Sequence, residues 1–349
     1  SQGNTCEYIN YINSTRKGFY NAWVQFKLAW QAGKRKRAMM LLLGAPVLMM
    51  RKRSFKGFYK HFLNVTPKLY RSSKECESLN DKYEKFIAGG DQIWNPVNNG
   101  RDTAYMLDFV KNSSKKISYA SSFGIANIPR DLKSTYKKAL EEIGYLSTRE
   151  KMGVDLIAQL TGKKAQQVLD PVFLTPVQEW EALTTHSVNK QHFVFMYTNQ
   201  RSQHNQFIRR FGDNYSKIHL LSTHVGISEI FNPKIRFQVA ISPQQFLTEI
   251  KQAELVVTAS FHCLAFAILF QKQFVAILSG NPGKDDRLLS LLQLTGLTRR
   301  ILTERTSYLD LQTKIDYNEV YPLLQKEIVK SKLFLKESLI GIKDENFAQ

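Results

Sequence analysis

From Lys85 onward, short apolar runs alternate with polar or glycine-bearing loops and with longer stretches of helical period. "KFIAGG" and "KKISYASSFG" have the length and flanking turns of strands, "RDLKSTYKKALEEIG" has the period of a helix, and "YLSTRE" reads again as a strand. The helix "GVDLIAQLTGK" and the strand "QQVLDPVFL" close that series. Thr175 and Pro176 form an N-cap and first-turn pair for "PVQEWEAL", and the polar "THSVNKQ" follows, which predicts a domain boundary near 175 to 190. The same alternation then restarts with "HFVFMYT", the helix "NQFIRRFGDNY" and the strand "KIHLLST". Ser242 and Pro243 cap the helix "QQFLTEIKQA", the strand "ELVVTA" leads into the loop "SFH", and "CLAFAILFQK" and "QFVAIL" read as a buried helix and a strand. Two such halves predict an α/β protein with two Rossmann-like domains, 1–180 and 181–349, and a cleft between them, the second ending in the amphipathic helix "YNEVYPLLQKEIVKSKLFLKESL".

The first eighty residues follow another pattern. "EYINYIN" alternates like a strand, and 17–60 is a strongly basic helical insertion. Within it the apolar stretch Ala38 to Met50 lies between two basic clusters, Arg35, Lys36 and Arg37 on one side and Arg51, Lys52 and Arg53 on the other. A spanning helix needs about 20 apolar residues, and Gly44 and Pro46 interrupt this one, so it is not expected to cross a bilayer. Two readings stay open: an interfacial segment on an anionic membrane surface, or two short helices packed on the first domain with solvated charges.

The composition, with 43% hydrophobic, 12% aromatic and 23% charged residues over 349 positions, excludes a disordered or fibrous chain. A formal charge of +19 favours anionic partners without choosing among them. No nucleic-acid motif accompanies that charge, so nucleic acid is not an expected partner. Cys6, Cys76 and Cys263 show no paired spacing, and the seven histidines no metal-ligand spacing, so neither disulfides nor a metal is expected and a reducing, cytoplasmic setting fits. The chain opens on "SQGNTCEYINYIN" without a signal peptide or an initiator methionine, so this start is not expected to be that of the natural gene.

In doubly wound sheets ligands bind beyond the carboxyl ends of strands, which directs attention to five loops. Asp91 follows Gly89 and Gly90, which let backbone approach a ligand, and its carboxylate could take a proton from a sugar hydroxyl or simply cap the turn into "QIWNP". Trp94 could offer a flat face to a sugar ring or belong to the core. The serines of "SSFG", Ser121 and Ser122, lie in the second such loop. Arg149 could grip a carboxylate or phosphate with its fork of donors, or pair with Glu150 or Glu142. Ser260 and His262 open an apolar helix whose free N–H groups attract anions; His262 could act as a general acid or serve the cap. Lys284 and Arg287 follow the last strand in "SGNPGKDDR", as anion ligands or as ordinary surface charges.

Taken in order, "FIAGGDQIWNP", "YMLDFV", "KKISYASSFG", "LSTREKMGVDLIAQLTGK", "VLDPVFL", "ASFHCLAFAILFQKQF" and "DDRLLSLLQLTGL" resemble the polysaccharide pyruvyl transferase family, over about residues 8 to 340. The resemblance implies a GT-B-like arrangement of the two domains, with phosphoenolpyruvate as co-substrate, no other cofactor, and a sugar acceptor that becomes a pyruvate ketal as phosphate leaves. It implies a catalytic set of His262, Asp91 and Arg149, and donor binding by Arg149, Ser260, His262, Lys284 and Arg287. On the acceptor side it implies Asp91, Trp94, Asn95 and Ser122. A role in bacterial capsule or surface polysaccharide synthesis follows, with an acceptor that can be carried on a polyprenyl diphosphate at the inner face of the cytoplasmic membrane. The family usually has serine where Gly90 stands and glycine where Cys263 stands. Its members also begin with a strand, loop and helix ahead of "CEYINYIN"; that segment is missing here, so either the sequence is truncated or the function is altered. The alternatives are a nucleotide-sugar glycosyltransferase of the same fold and a basic, non-enzymatic protein that binds membrane or nucleic acid.

Overall fold

The computed structural model describes residues 3–13, 15–16, 22–185, 192–198, 200–222, 224 and 226–341. The start of the basic stretch, 17–21, and most of the polar linker, 186–191, lie outside the described residues. The chain divides into two compact units. One is formed by 1–148, 153–167 and 337–349, the other by 149–152 and 168–336. Helices of nine or more residues are numbered α1 to α10 below.

In the first unit, α1 (Ala22–Gln31), α2 (Arg35–Leu43) and α3 (Ala45–Phe62) precede a four-stranded parallel sheet. Its strands run in sequential order, β1 (Phe86–Gly90), β2 (Lys116–Ser121), β3 (Ser147–Thr148) and β4 (Gln166–Gln167). α4 (Lys133–Glu141) lies between β2 and β3 in the chain. Every residue of β2 is buried, including two serines and a lysine. Their polar atoms are paired: Ser118 Oγ donates to the Ser147 carbonyl at 2.9 Å, Ser147 Oγ donates to the Ser118 carbonyl at 2.7 Å, and Lys116 reaches Glu142 at 2.8 Å. Such pairing is what makes a polar central strand tolerable.

"EYINYIN" does not enter that sheet. Tyr8 and Tyr11 make isolated parallel bridges to Val65 and Tyr70, so the segment pairs with the chain that leaves α3. The apolar run of "QQVLDPVFL" is not strand either. Only Gln166 and Gln167 pair, after which Asp170 accepts a hydrogen bond from Val172 N and starts a 3₁₀ turn over Pro171–Phe173. Proline removes the donor a strand would need there, and the aspartate caps the turn instead. The helix after Thr175 begins at Val177 with no side-chain cap.

In the second unit five parallel strands stand in the order β7-β6-β5-β8-β9. They are β5 (Val194–Thr198), β6 (Ile218–Ser222), β7 (Ile235–Phe237), β8 (Leu255–Thr258) and β9 (Gln273–Ala276). Successive residues alternate between two cores. Phe195, Val256 and Phe274 face one, with Leu264 and Leu288; Val194, Met196, Val257 and Val275 face the other, with Phe207 and Phe211. A sheet covered on both faces explains why these strands read as unbroken apolar runs. The helices are α6 (Arg201–Phe211), α7 (Pro243–Gln252), α8 (Phe261–Leu269), α9 (Pro282–Leu294) and α10 (Tyr317–Ile340); α5 (Lys151–Thr161) follows β3. α7 carries the expected cap, with Ser242 Oγ accepting from Gln245 N and Pro243 in the first turn. The strand order reverses between β5 and β8, which is where a doubly wound sheet opens a crevice at its carboxyl edge.

Candidate active site

The loop after β8 emerges at that reversal. Thr258 Oγ1 donates to the Tyr197 carbonyl at 3.0 Å and accepts from Ser260 N at 2.9 Å, which fixes the first residues beyond the strand. Ser260 is the N-cap of α8, its Oγ 3.5 Å from Cys263 N. His262, in the first turn of that helix, keeps 39% of its side chain exposed. Cys263 beside it is fully buried, and burial pushes its thiol up to about 12, so it is no nucleophile.

Facing His262 is a carboxylate that sequence reasoning passed over. Asp170 Oδ2 lies 3.6 Å from His262 Nε2 and 2.9 Å from Arg149 Nη1, while Oδ1 accepts from Val172 N at 3.2 Å. Burial raises the cost of ionising Asp170. The hydrogen-bonding and charge of His262, the charge of Arg149 and the Val172 amide together outweigh it and hold the carboxyl down to about 2. The signal in the sequence was the "DP" of "VLDPVFL", readable as a turn cap but not as a partner for residues elsewhere in the chain.

Arg149 is buried, with its guanidinium carbon 4.3 Å from the centre of the Phe261 ring and Nε 3.6 Å from Glu150. Of the two ion pairs its sequence suggested, the Glu150 contact is present, whereas Glu142 pairs with Lys116. α9 holds the residues that follow: Asp286 accepts from Met152 N at 2.9 Å and Ser290 Oγ from Lys151 N at 3.1 Å. These two side chains take up N–H groups at the open end of α5. Lys284 is exposed on the first turn of α9, and Arg287 is half-buried a turn further on. The loop before them is closed by buried Asp285, which accepts from Ser279 N, Ser279 Oγ and Gly280 N, each at 2.8 Å.

The residues expected on the acceptor side all lie in the first unit. Asp91 is exposed in the turn after β1. Trp94 is fully buried, edge-on to Phe123 at 5.1 Å, with its indole N–H on the Tyr105 carbonyl at 2.9 Å. It belongs to the core and presents no face to a sugar. Asn95 is buried and caps the short helix Pro96–Asn99, its Oδ1 accepting from Val97 N at 3.0 Å. Ser122 is buried just past β2, and its hydroxyl has no hydrogen-bond partner among the described residues. Gly89 also has a different purpose from the one expected: a Cβ there would stand 2.6 Å from the Tyr119 carbonyl, so the neighbouring strand requires the glycine. Among the described residues no group of three or more His, Cys, Asp or Glu is placed to hold a metal.

Fold and site together define an α/β protein built on two parallel sheets, with an Arg–Asp–His cluster beyond the carboxyl edge of the second. The profile of the polysaccharide pyruvyl transferase family matches residues 5–281, and the chain belongs to that family. A search of curated proteins gives no match. Among solved structures, the UDP-N-acetylglucosamine 2-epimerase of Rickettsia bellii is 15% identical with a TM-score of 0.44, over 76% of each chain. The Methanocaldococcus jannaschii UDP-GlcNAc 2-epimerase is 11% identical with a TM-score of 0.46, over 82% of this chain and 88% of that one. The Escherichia coli ADP-heptose lipopolysaccharide heptosyltransferase II is 9% identical with a TM-score of 0.30, over 82% and 96%. Likeness at this level carries no argument about chemistry.

Proposed function

We propose that the protein transfers the enolpyruvyl group of phosphoenolpyruvate to two hydroxyls of a sugar, forming a cyclic pyruvate ketal and releasing phosphate. The observation that carries this reading is the half-exposed His262 at the start of α8, held against the buried carboxylate of Asp170. Phosphoenolpyruvate brings a phosphate and a carboxylate. The free N–H groups opening α8 and the cations Lys284 and Arg287 supply charge of the right sign for both. Arg149, buried against Asp170 and Phe261, serves as a positioning residue for that carboxylate.

In the reaction, His262 gives a proton to the methylene carbon, which becomes a methyl group and leaves an oxocarbenium-like centre. One sugar hydroxyl adds to that carbon and a second displaces phosphate. Of the two hydroxyl protons released, one restores His262 and the other leaves with phosphate, so the reaction balances without a metal or redox partner. Asp91, exposed after β1, orients or deprotonates the attacking hydroxyl. The family supports a polysaccharide acceptor. We place the reaction in capsule or surface polysaccharide synthesis in a bacterial cytoplasm, on an acceptor linked to a lipid carrier.

The test is phosphate release from phosphoenolpyruvate with a panel of lipid-linked glycans as acceptors. His262→Ala should reduce it to background; full activity in that variant would remove His262 from catalysis. Stabilisation by a nucleotide sugar but not by phosphoenolpyruvate would favour glycosyl transfer instead.

A further inference from the structure

We infer that the apolar turn between α2 and α3 is a membrane anchor that docks on the anionic face of a bilayer. The first observation is exposure. α3 has eighteen residues, and none of its described side chains is buried. At the turn, Met39 and Leu42 of α2 are exposed, and Met49 and Met50 of α3 are exposed at 65% and 61%. A helix whose described side chains all stay at least partly in water gains little from packing them and is marginal alone, so this one calls for a partner surface.

The second observation is charge. From Ala22 to Phe62 there are ten Lys or Arg and no Asp or Glu, and no acidic residue occurs between Glu7 and Glu75. A second copy of the chain would bring like charges together. Naked nucleic acid would satisfy the cations but leave the methionines and leucines in water. A bilayer carrying anionic lipid satisfies both, because acyl chains receive the apolar tip while headgroups meet the cations on either side. The two described basic pairs, Arg35–Lys36 and Lys52–Arg53, flank the tip in the chain and are exposed. Arg35 also lies over the exposed Trp30 ring at 5.9 Å, an arrangement suited to the headgroup layer. Among the described residues no helix is long and apolar enough to cross a membrane, so the contact is with one leaflet. Anchoring of this kind is independent of the chemistry proposed above and of whether the acceptor is lipid-linked.

The experiment is co-sedimentation of the full chain with phosphatidylcholine vesicles, neutral or with about a third phosphatidylglycerol. The wild type should bind the anionic vesicles only. Met39→Ser, Leu42→Ser, Met49→Ser and Met50→Ser combined should weaken binding about tenfold or more. Arg35→Ala, Lys36→Ala, Lys52→Ala and Arg53→Ala combined should weaken it about a hundredfold. Tryptophan emission of the wild type should shift to the blue with anionic vesicles and be quenched by brominated acyl chains, which tests insertion even if a variant misfolds. Failure to bind anionic vesicles, undiminished binding by the apolar variant, or unquenched emission would overturn the anchor. So would a wild-type dimer, or retention on DNA, that the apolar substitutions abolish while vesicle binding persists.

Discussion

Asp170 is the residue on which the second unit's cluster turns, because it is the buried anion between Arg149 and His262. Asp170→Asn would take from the buried Arg149 its 2.9 Å carboxylate partner, and should cost about 3 kcal/mol in urea unfolding. Its low value also sets an acid limb. Below about pH 4 the unfolded chain takes up a proton that the folded carboxyl accepts only near 2, so stabilisation present above pH 4 is lost as the pH falls toward 2. The wild type should lose stability through that window, with a shallower loss in Asp170→Asn. Gly89→Ala tests a different constraint. Its Cβ would meet a backbone oxygen that cannot swing aside, and the variant should melt lower by the equivalent of about 1–3 kcal/mol. Neither constraint could be read from neighbours in sequence: the Asp170 partners are remote in the chain, and the glycines of "IAGGDQ" suggested room for a ligand when one of them makes room for β2.

Among the elements, those carried by local signals came through intact. α7 and the strands β5, β8 and β9 stand where their periodicity and capping residues put them, and α8 starts two residues earlier, at Phe261, so that it takes in part of the expected loop "SFH"; such local signals act within a few positions. Elements whose state depends on a remote partner did not. "EYINYIN" has the alternation of a strand but pairs only by isolated bridges, and the apolar end of "QQVLDPVFL" turns at its proline. The start of α5 depends on α9 in the same way, through Ser290 and Asp286. Ser290→Ala should therefore destabilise the fold by about 1 kcal/mol, and amide exchange at Lys151 should quicken more than exchange in the interior of α9.

For the whole molecule, the charge of +19 makes ionic strength the informative variable. Phosphoenolpyruvate at a hundredfold excess over its Kd should stabilise the protein by about 2.7 kcal/mol, seen as a rise in Tm. That shift should shrink as salt rises from low to physiological concentration, because long-range attraction to the anion is screened over about 8–10 Å. A Tm indifferent to phosphoenolpyruvate at any salt would argue against the proposed donor. The sequence by itself determined much of the succession of strands and helices from Lys85 onward, the basic character of the first helices, and the opening of α8 that carries Ser260 and His262. Periodicity, capping and charge are properties of neighbours along the chain. Only the tertiary structure decided that Asp170 stands between Arg149 and His262, that Trp94 is core, and that no described side chain of α3 is buried. Each depends on which distant segments meet when the two sheets close their cores, and that register is settled by packing many side chains at once.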